Sequence, residues 1–253
     1  MTIELADQCV LIPGGTSGIG LACARAFIAA GAMVRIAGRS PDRGAAAAAE
    51  LGSRAGFVQA DCADPAQAER MVAEAAGQMG RIDTLVCSLG GASLPELLFR
   101  QSLDDIRVSL TQDLAPFLYA GRAVLPVMMA QGAGSVINIA SDAGKIATPG
   151  ESVIGANMAA IIQFTRGLAI EAKRDGIRAN AITPSLVEGT PLTRRLMAEG
   201  TFPAKLFAKA RPLAHLGPTM PEDLAALALF LAGPGAARIT GQAISVNGGI
   251  SAM

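Results

Sequence analysis

The 253-residue sequence predicts an α/β fold built on a doubly wound, parallel, seven-stranded sheet with helices on both faces. Three observations carry that expectation. Short apolar runs bounded by Gly, Pro, Asp or Ser alternate with stretches of helical periodicity, the order that yields parallel strands joined by right-handed helical crossovers. The composition, 51% apolar and 17% charged, is ample for a core on both faces of a sheet. Nothing between the elements is long, charged or Pro/Ser-rich enough to be a linker, so residues 1–253 read as a single domain.

The first strand is the apolar run through Val10 to Ile12, and Pro13, Gly14 and Gly15 end it because neither residue type continues a ladder well. Helical periodicity runs from Gly20 to Gly31, with Leu21, Ala24, Phe27 and Ile28 on one face. Strand, glycine loop, helix is an order with a chemical use. The first turn of a helix carries unpaired N–H groups and a positive dipole end, and glycines let a phosphate approach the backbone. Gly14, Gly18 and Gly20, spaced G-x-x-x-G-x-G, together with Thr16, Ser17 and Ile19, are the candidate pyrophosphate contacts. The alternative reading is a tight strand-to-helix turn without a ligand.

Met33 to Ala37 is a second strand, ending at Gly38, Arg39 and Ser40. At this point in dinucleotide folds an acidic side chain favours a free ribose 2′-hydroxyl and an arginine accommodates a 2′-phosphate. Arg39 therefore favours NADP(H) over NAD(H), with Ser40 beside it; the alternative is an ordinary surface arginine. A helix over Asp42 to Leu51 leads to a third strand, Gly56 to Ala60, closed by Asp61 and Cys62, where an acceptor would meet the adenine amino group. Asp61 also reads as a cap for the helix beginning near Pro65, although Asp64 is better placed. A fourth strand, Ile82 to Cys87, is followed by Ser88, Leu89, Gly90 and Gly91; Ser88 and Gly90 are small enough for a cofactor to lie against the backbone.

A long helical region spans Ser102 to Ala130 and carries Asp113 and Tyr119. Ser135 to Ala140 is the fifth strand, with Ser141 directly after it. A helix from Ser152 to Arg174 precedes the sixth strand, Ile177 to Ile182. Residues 184–220, rich in Pro and Gly with one embedded helix over Leu192 to Ala208, form a candidate substrate lid. Pro184 and Val187 at its start complete the candidate cofactor contacts. A last helix, Glu222 to Leu231, and a seventh strand, Ala243 to Val246, finish the pattern.

Charge and cysteine usage narrow the function. Twenty-one basic residues balance 21 acidic ones, which leaves no electrostatic footprint for nucleic acid or an anionic membrane and favours a small-molecule substrate. The N-terminal MTIELADQCV lacks a leader pattern and no uninterrupted apolar stretch reaches spanning length, so a soluble, cytoplasmic protein is expected. Cys9, Cys23, Cys62 and Cys87 show no C-x-x-C spacing and read as buried free thiols, with no metal site.

PGGTSGIG at Pro13 to Gly20, the acidic strand end at Asp61, LPVMM at Leu125 to Met129, SVINIAS at Ser135 to Ser141, GLAIEAKRDGIRANAITPS at Gly167 to Ser185 and ITGQAISVNGG at Ile239 to Gly249 resemble, almost end to end, the short-chain dehydrogenase/reductase family. The resemblance implies a single Rossmann-like domain, usually a homotetramer, that binds NAD(P)(H) and moves hydride to or from a carbonyl, alcohol or alkene. The family uses a tyrosine as proton donor, a lysine four residues later, a serine on the substrate oxygen and often an asparagine on a preceding helix. Ser141 matches the serine. Counting from Ser141, and back from GLAIE, puts the tyrosine position at Ile154 and the lysine position at Met158, neither of which can donate a proton or stabilise an oxyanion. Asp113 stands at the asparagine position, and Pro13 replaces a threonine. Family members that reduce conjugated enoyl thioesters resemble this chain in carrying an aspartate there without the tyrosine, but they keep the lysine.

These residues leave three readings. The first is an NADP(H)-dependent oxidoreductase of a small carbonyl or activated alkene, a homo-oligomer (tetramer or dimer) with a non-standard catalytic set, Ser141 with Asp113 acting through water or with a lid residue. The second is a catalytically silent NADP(H)-binding subunit or sensor. The third is a non-redox lyase or isomerase. Asp113 alternatively caps or pairs within the helices. Tyr119 reads as packing, His215 as a loop residue within reach of a substrate if the lid closes, and Lys145, Glu151 and Asp142 as either solvated or turned to the site.

Overall fold

The computed structural model describes residues 5–252; Met1 to Glu4 of the N-terminal stretch read for a leader lie outside them. Seven strands form one parallel sheet: β1 (Cys9–Pro13), β2 (Met33–Gly38), β3 (Ala55–Gln59), β4 (Thr84–Cys87), β5 (Gly134–Ile139), β6 (Ile177–Pro184) and β7 (Ala243–Val246). Their order is β3-β2-β1-β4-β5-β6-β7. The chain moves outward from β1 to β3 and then restarts at β4 on the other side of β1. Between the carboxyl ends of β1 and β4 the crossovers part, which is where open α/β sheets bind ligands.

The helices are α1 (Gly18–Ala29), α2 (Pro41–Leu51), α3 (Pro65–Met79), α4 (Leu103–Ser109), α5 (Ala115–Gln131), α6 (Ser152–Ala172), α7 (Pro191–Leu196), α8 (Phe202–Ala210) and α9 (Pro221–Ala232). All five residues of β1 are buried, as a strand covered on both faces requires. Side chains alternate across it. Val10 and Ile12 join Phe27 of α1 and Leu224 of α9 in one core, while Leu11 joins Met71 of α3, Phe117 of α5 and Ile161 of α6 in another. On the second face a Cβ at Gly121 would lie 2.9 Å from the ring of Phe164, so this glycine lets α5 and α6 approach closely.

Two expectations about elements need correction. The region Ser102 to Ala130 is not one helix: between α4 and α5 the chain widens into a π turn, Leu110–Leu114, closed by the Ala115 N–H donating to the Leu110 carbonyl. Pro116 explains the widening, because it has no N–H for the Gln112 carbonyl and its ring crowds that oxygen. The lid holds two helices rather than one. Gly200, with φ of +78°, turns the chain between them, and Thr190 and Thr201 cap α7 and α8 through the N–H groups of Thr193 and Ala204. Ser152–Asp175, 24 residues, is long and apolar enough by length and composition to cross a membrane, with an 18-residue window of mean hydropathy 1.4, although Asn157, Gln163 and Arg166 interrupt its apolar run. In the fold this helix lies against the sheet, with Ile161, Ile162 and Leu168 buried in the core.

Candidate functional site

The glycine loop after β1 is built by close approach. Gly14 donates its N–H to the Ala37 carbonyl at 2.9 Å and has φ of +81°, a conformation that excludes most side chains. A Cβ on it would stand 1.9 Å from the Ser88 carbonyl oxygen, so the loops after β1 and β4 touch here. A Cβ on Gly20 would lie 2.3 Å from the Gly14 carbonyl oxygen, which sets the first turn of α1 hard against the loop. Gly18 differs, because its nearest neighbour would be Pro191 of the lid at 3.5 Å.

Ser17 is the N-cap of α1 but its side chain makes no capping bond, and no acidic residue lies in the first turn. The first-turn N–H groups thus have no side-chain acceptor from the cap and keep the positive end of the helix dipole. Thr16, Ser17, Gly18 and Ile19 are half-buried around that end. This donor set fits a dinucleotide pyrophosphate.

Arg39 is exposed at the end of β2, its Nη1 3.5 Å from Gln112 Oε1, where a guanidinium can swing onto a 2′-phosphate. Ser40 is occupied as the cap of α2, accepting from the Arg43 N–H. Asp61 accepts the Ala63 N–H, and Asp64 caps α3 through Ala66 and Gln67. The Cys62 side chain turns into the core beside Met71 as a buried free thiol, where burial pushes it up to about 12. Ser88 is half-buried and Gly90 exposed, in the loop that follows β4. Pro184 and Val187 are buried at the base of the lid, where the Val187 carbonyl accepts the hydroxyls of Thr190 and Thr193.

Ser141 directly follows β5, and its Oγ accepts the Ala143 N–H at 3.2 Å. Asp113 is only 4% exposed. Its two oxygens accept the N–H groups of Ala92 at 2.9 Å and Ser93 at 3.1 Å. Ser109 Oγ lies 3.5 Å from the same carboxylate and accepts from Asn157 of α6 at 2.9 Å. The carboxylate thereby ties the loop after β4 to the π turn and, through Ser109, to α6, a loop contact rather than the pairing within the helices that was the alternative reading.

Met158 is buried and Ile154 packs against the same core. Lys145 is not solvated: its side chain, 11% exposed, lies 3.6 Å from Asp142 and bonds to Ser245. Asp142 also accepts from Asn247 and Ser251, tying the C-terminal segment to the loop after Ser141. Tyr119 is half-buried on α5, and His215 is exposed. Among the described residues no group of His, Cys, Asp or Glu has the arrangement of a metal site.

The lid lies over the loop after β4. Arg195 of α7 donates to the Gly91 carbonyl at 2.6 Å, Leu192 rests on Gly91, and Phe202 of α8 rests on Gly150. Leu94 joins Leu196, Leu206 and Phe207 in a small separate core beneath it. A cavity of about 290 Å³ opens beside Ile154, lined by Ser93, Glu96, Arg100, Val108 and Ser109 among others. The sequence reading missed Arg195, Glu96 and Arg100. Exposed arginines carry no periodic signal, whereas the Thr-Pro step at 190–191 was a legible helix start.

Residues 14–251 match the family described as Enoyl-(Acyl carrier protein) reductase. The chain is 33% identical to the 3-oxoacyl-[acyl-carrier-protein] reductase FabG of Chlamydia pneumoniae, over 99% of this chain and 100% of that one. It is 30% identical to the 2-dehydro-3-deoxy-L-rhamnonate dehydrogenase (NAD(+)) of Sphingomonas sp., over 96% and 95%. Among solved structures, a short-chain type dehydrogenase/reductase from Mycobacterium ulcerans superimposes with a TM-score of 0.90 at 28% identity, covering 98% of this chain and 91% of that one.

Proposed function

Because the chain belongs to the short-chain dehydrogenase/reductase family, an oxidoreductase family, we propose that it is an NADP(H)-dependent enzyme acting on a small carbonyl or activated alkene with a non-standard catalytic set. The observation that carries the choice of cofactor is Arg39, exposed at the end of β2 beside the uncapped N-terminus of α1. A bound reduced nicotinamide supplies the substrate with an electron pair and one hydrogen. The chain's own residues do the rest. First-turn N–H groups of α1 bind pyrophosphate, Arg39 neutralises the 2′-phosphate, and the Ser141 O–H orients the substrate oxygen. The Asp113 clamp would steady the loop after β4 beside a bound dinucleotide, and the lid would exclude water. Exposed Phe99 and Leu103 offer apolar surface for self-association as a dimer or tetramer.

Titration of the purified protein with NADPH and with NADH, followed by the fluorescence of the reduced nicotinamide, tests this reading. Preferential NADPH binding, followed by turnover in a ketone and enone screen, is the expected result. Failure to bind either dinucleotide sinks it. A second reading, a silent NADP(H)-binding subunit or sensor, is favoured by buried Met158 and packed Ile154; it predicts tight NADPH binding with no turnover.

A further inference from the structure

Arg195 reaches from α7 to the loop after β4, where its Nη1 donates to the Gly91 carbonyl at 2.6 Å and its Nη2 to the Ala92 carbonyl at 3.5 Å. The same stretch is held by the opposite charge. Asp113 accepts the N–H of Ala92 at 2.9 Å and that of Ser93 at 3.1 Å. The Gly91 carbonyl and the Ala92 N–H belong to one peptide group, and the Ala92 carbonyl and the Ser93 N–H to the next. Two successive peptides thus give their oxygens to a cation and their N–H groups to an anion. Each bond polarises its peptide in the direction that strengthens the bond on the other side.

What these peptides join is a roof and a floor. The first turn of α7 spans two loops, with Pro191 the nearest neighbour of Gly18 and Leu192 that of Gly91. Those loops border the crevice in which the dinucleotide is proposed to lie. Behind α7, Leu186, Leu196 and Phe207 pack with Leu94 in a core of their own, so the lid is a packed unit. At its foot the Glu188 N–H donates to the Thr219 carbonyl at 2.9 Å, and at its far end the Leu216 N–H donates to the Gly248 carbonyl at 3.0 Å. Between foot and roof stands Gly189, with φ of +74° and no neighbour nearer to a Cβ than Met220 at 3.9 Å. A swing there meets little resistance.

We propose that Arg195 and Asp113, acting through these two peptides, form the latch that holds the lid down and sets the rate at which the dinucleotide enters and leaves. The proposal rests on the dinucleotide-binding reading above. Arg195 is a positioning residue in this scheme and touches neither cofactor nor substrate. Lifting α7 breaks its two bonds while those of Asp113 remain, so the loop stays in place as the roof rises. The latch is closed with or without cofactor, so its loss speeds entry and exit alike and alters the affinity little.

Stopped-flow fluorescence of NADPH with the full chain tests the latch, mixing for association and displacement by excess NADP⁺ for dissociation. Arg195→Ala, at an exposed position, is expected to raise both rates roughly 3- to 10-fold, the worth of one hydrogen bond, and Arg195→Lys to recover part of the change. Asp113→Asn should also raise both, and the double variant should fall short of the product of the two single effects, the mark of residues coupled through a shared partner. Hydrogen exchange at the Ala92 and Ser93 amides should quicken in Arg195→Ala in the absence of any dinucleotide. Faster dissociation with unchanged association overturns the latch, because it marks Arg195 as a direct cofactor contact. Unchanged rates, or effects of the two residues that simply multiply, overturn it as well, while NADPH binding leaves the oxidoreductase reading standing. If neither dinucleotide binds, that reading falls, and exchange at the two amides alone decides whether Arg195 holds the loop: unchanged exchange refutes it.

Discussion

Gly14 and Gly18 belong to one glycine loop, yet substitution should damage the protein in opposite ways. In Gly14→Ala the new methyl would sit 1.9 Å from the Ser88 carbonyl oxygen, a backbone atom held by the Ser88 N–H bond to the Pro13 carbonyl at 3.0 Å. Nothing flexible stands there to give way. A side chain at φ of +81° costs about 1–2 kcal/mol, and forcing apart a packed contact costs about 1–3 kcal/mol more. The sum, about 2–5 kcal/mol, corresponds to a fall in Tm of roughly 4–20 °C at about 2–4 °C per kcal/mol for a chain of this size. In Gly18→Ala the methyl meets nothing closer than 3.5 Å and bears only the cost of φ at +52°, about 1–2 kcal/mol. That variant should stay folded and lose NADPH affinity, because the methyl projects from the first turn of α1 where the pyrophosphate is proposed to lie. Thermal unfolding of both variants, with NADPH titration of each, checks the contrast. A Gly14→Ala protein within 2 °C of wild type, or a Gly18→Ala protein less stable than it, would refute the division of labour.

Arg39→Ala should weaken NADPH binding roughly 10- to 100-fold, the worth of about 1.5–3 kcal/mol for a charged hydrogen bond, and leave NADH binding unchanged; parallel fluorescence titrations decide it. Asp113→Asn should cost about 1–3 kcal/mol of stability, because an amide NH₂ would replace an acceptor opposite the N–H of Ala92 or Ser93; denaturant unfolding measures it. Glu151 should make stability fall as pH rises. Its folded pKa is raised, so above the free value of about 4.3 the native state binds more protons than the unfolded chain, and the slope of stability against pH is negative up to the folded pKa. Glu151→Gln removes this slope, so its stability relative to wild type should be higher at pH 7 than at pH 4, as urea melts at the two pH values will show.

The sheet was legible in the sequence because it is buried on both faces. A continuous apolar run such as Val10 to Ile12 can be little else when Pro13 and Gly14 close it. The glycine loop was legible for a similar reason, since Gly14 and Gly20 sit where any Cβ collides with backbone. The π turn was not, because apolar periodicity runs on through Leu110 and Leu114 and only Pro116 betrays a missing hydrogen bond. The partners of charged residues were illegible too. That Lys145 would bury itself against Asp142, or Asp113 reach back to Ala92, depends on contacts 3 to 21 residues away whose geometry only the packed fold creates. The identity of Ser141 was evident, whereas the environment of Glu151 could not be seen until the lid and the loop after β4 were in place.

The division of the interior by the sheet bears on how such a chain can change over generations. The helix that presents the glycine loop rests on the core shared by Phe27 and Leu224, whereas the helix carrying Ile154 and Met158 rests on the core shared by Phe117 and Ile161. Mutations on the second layer can therefore be tried and kept without repacking the first. The proposed nucleotide and reaction sites thus stand on separate layers, so that a change in the packing beneath one leaves the packing beneath the other in place.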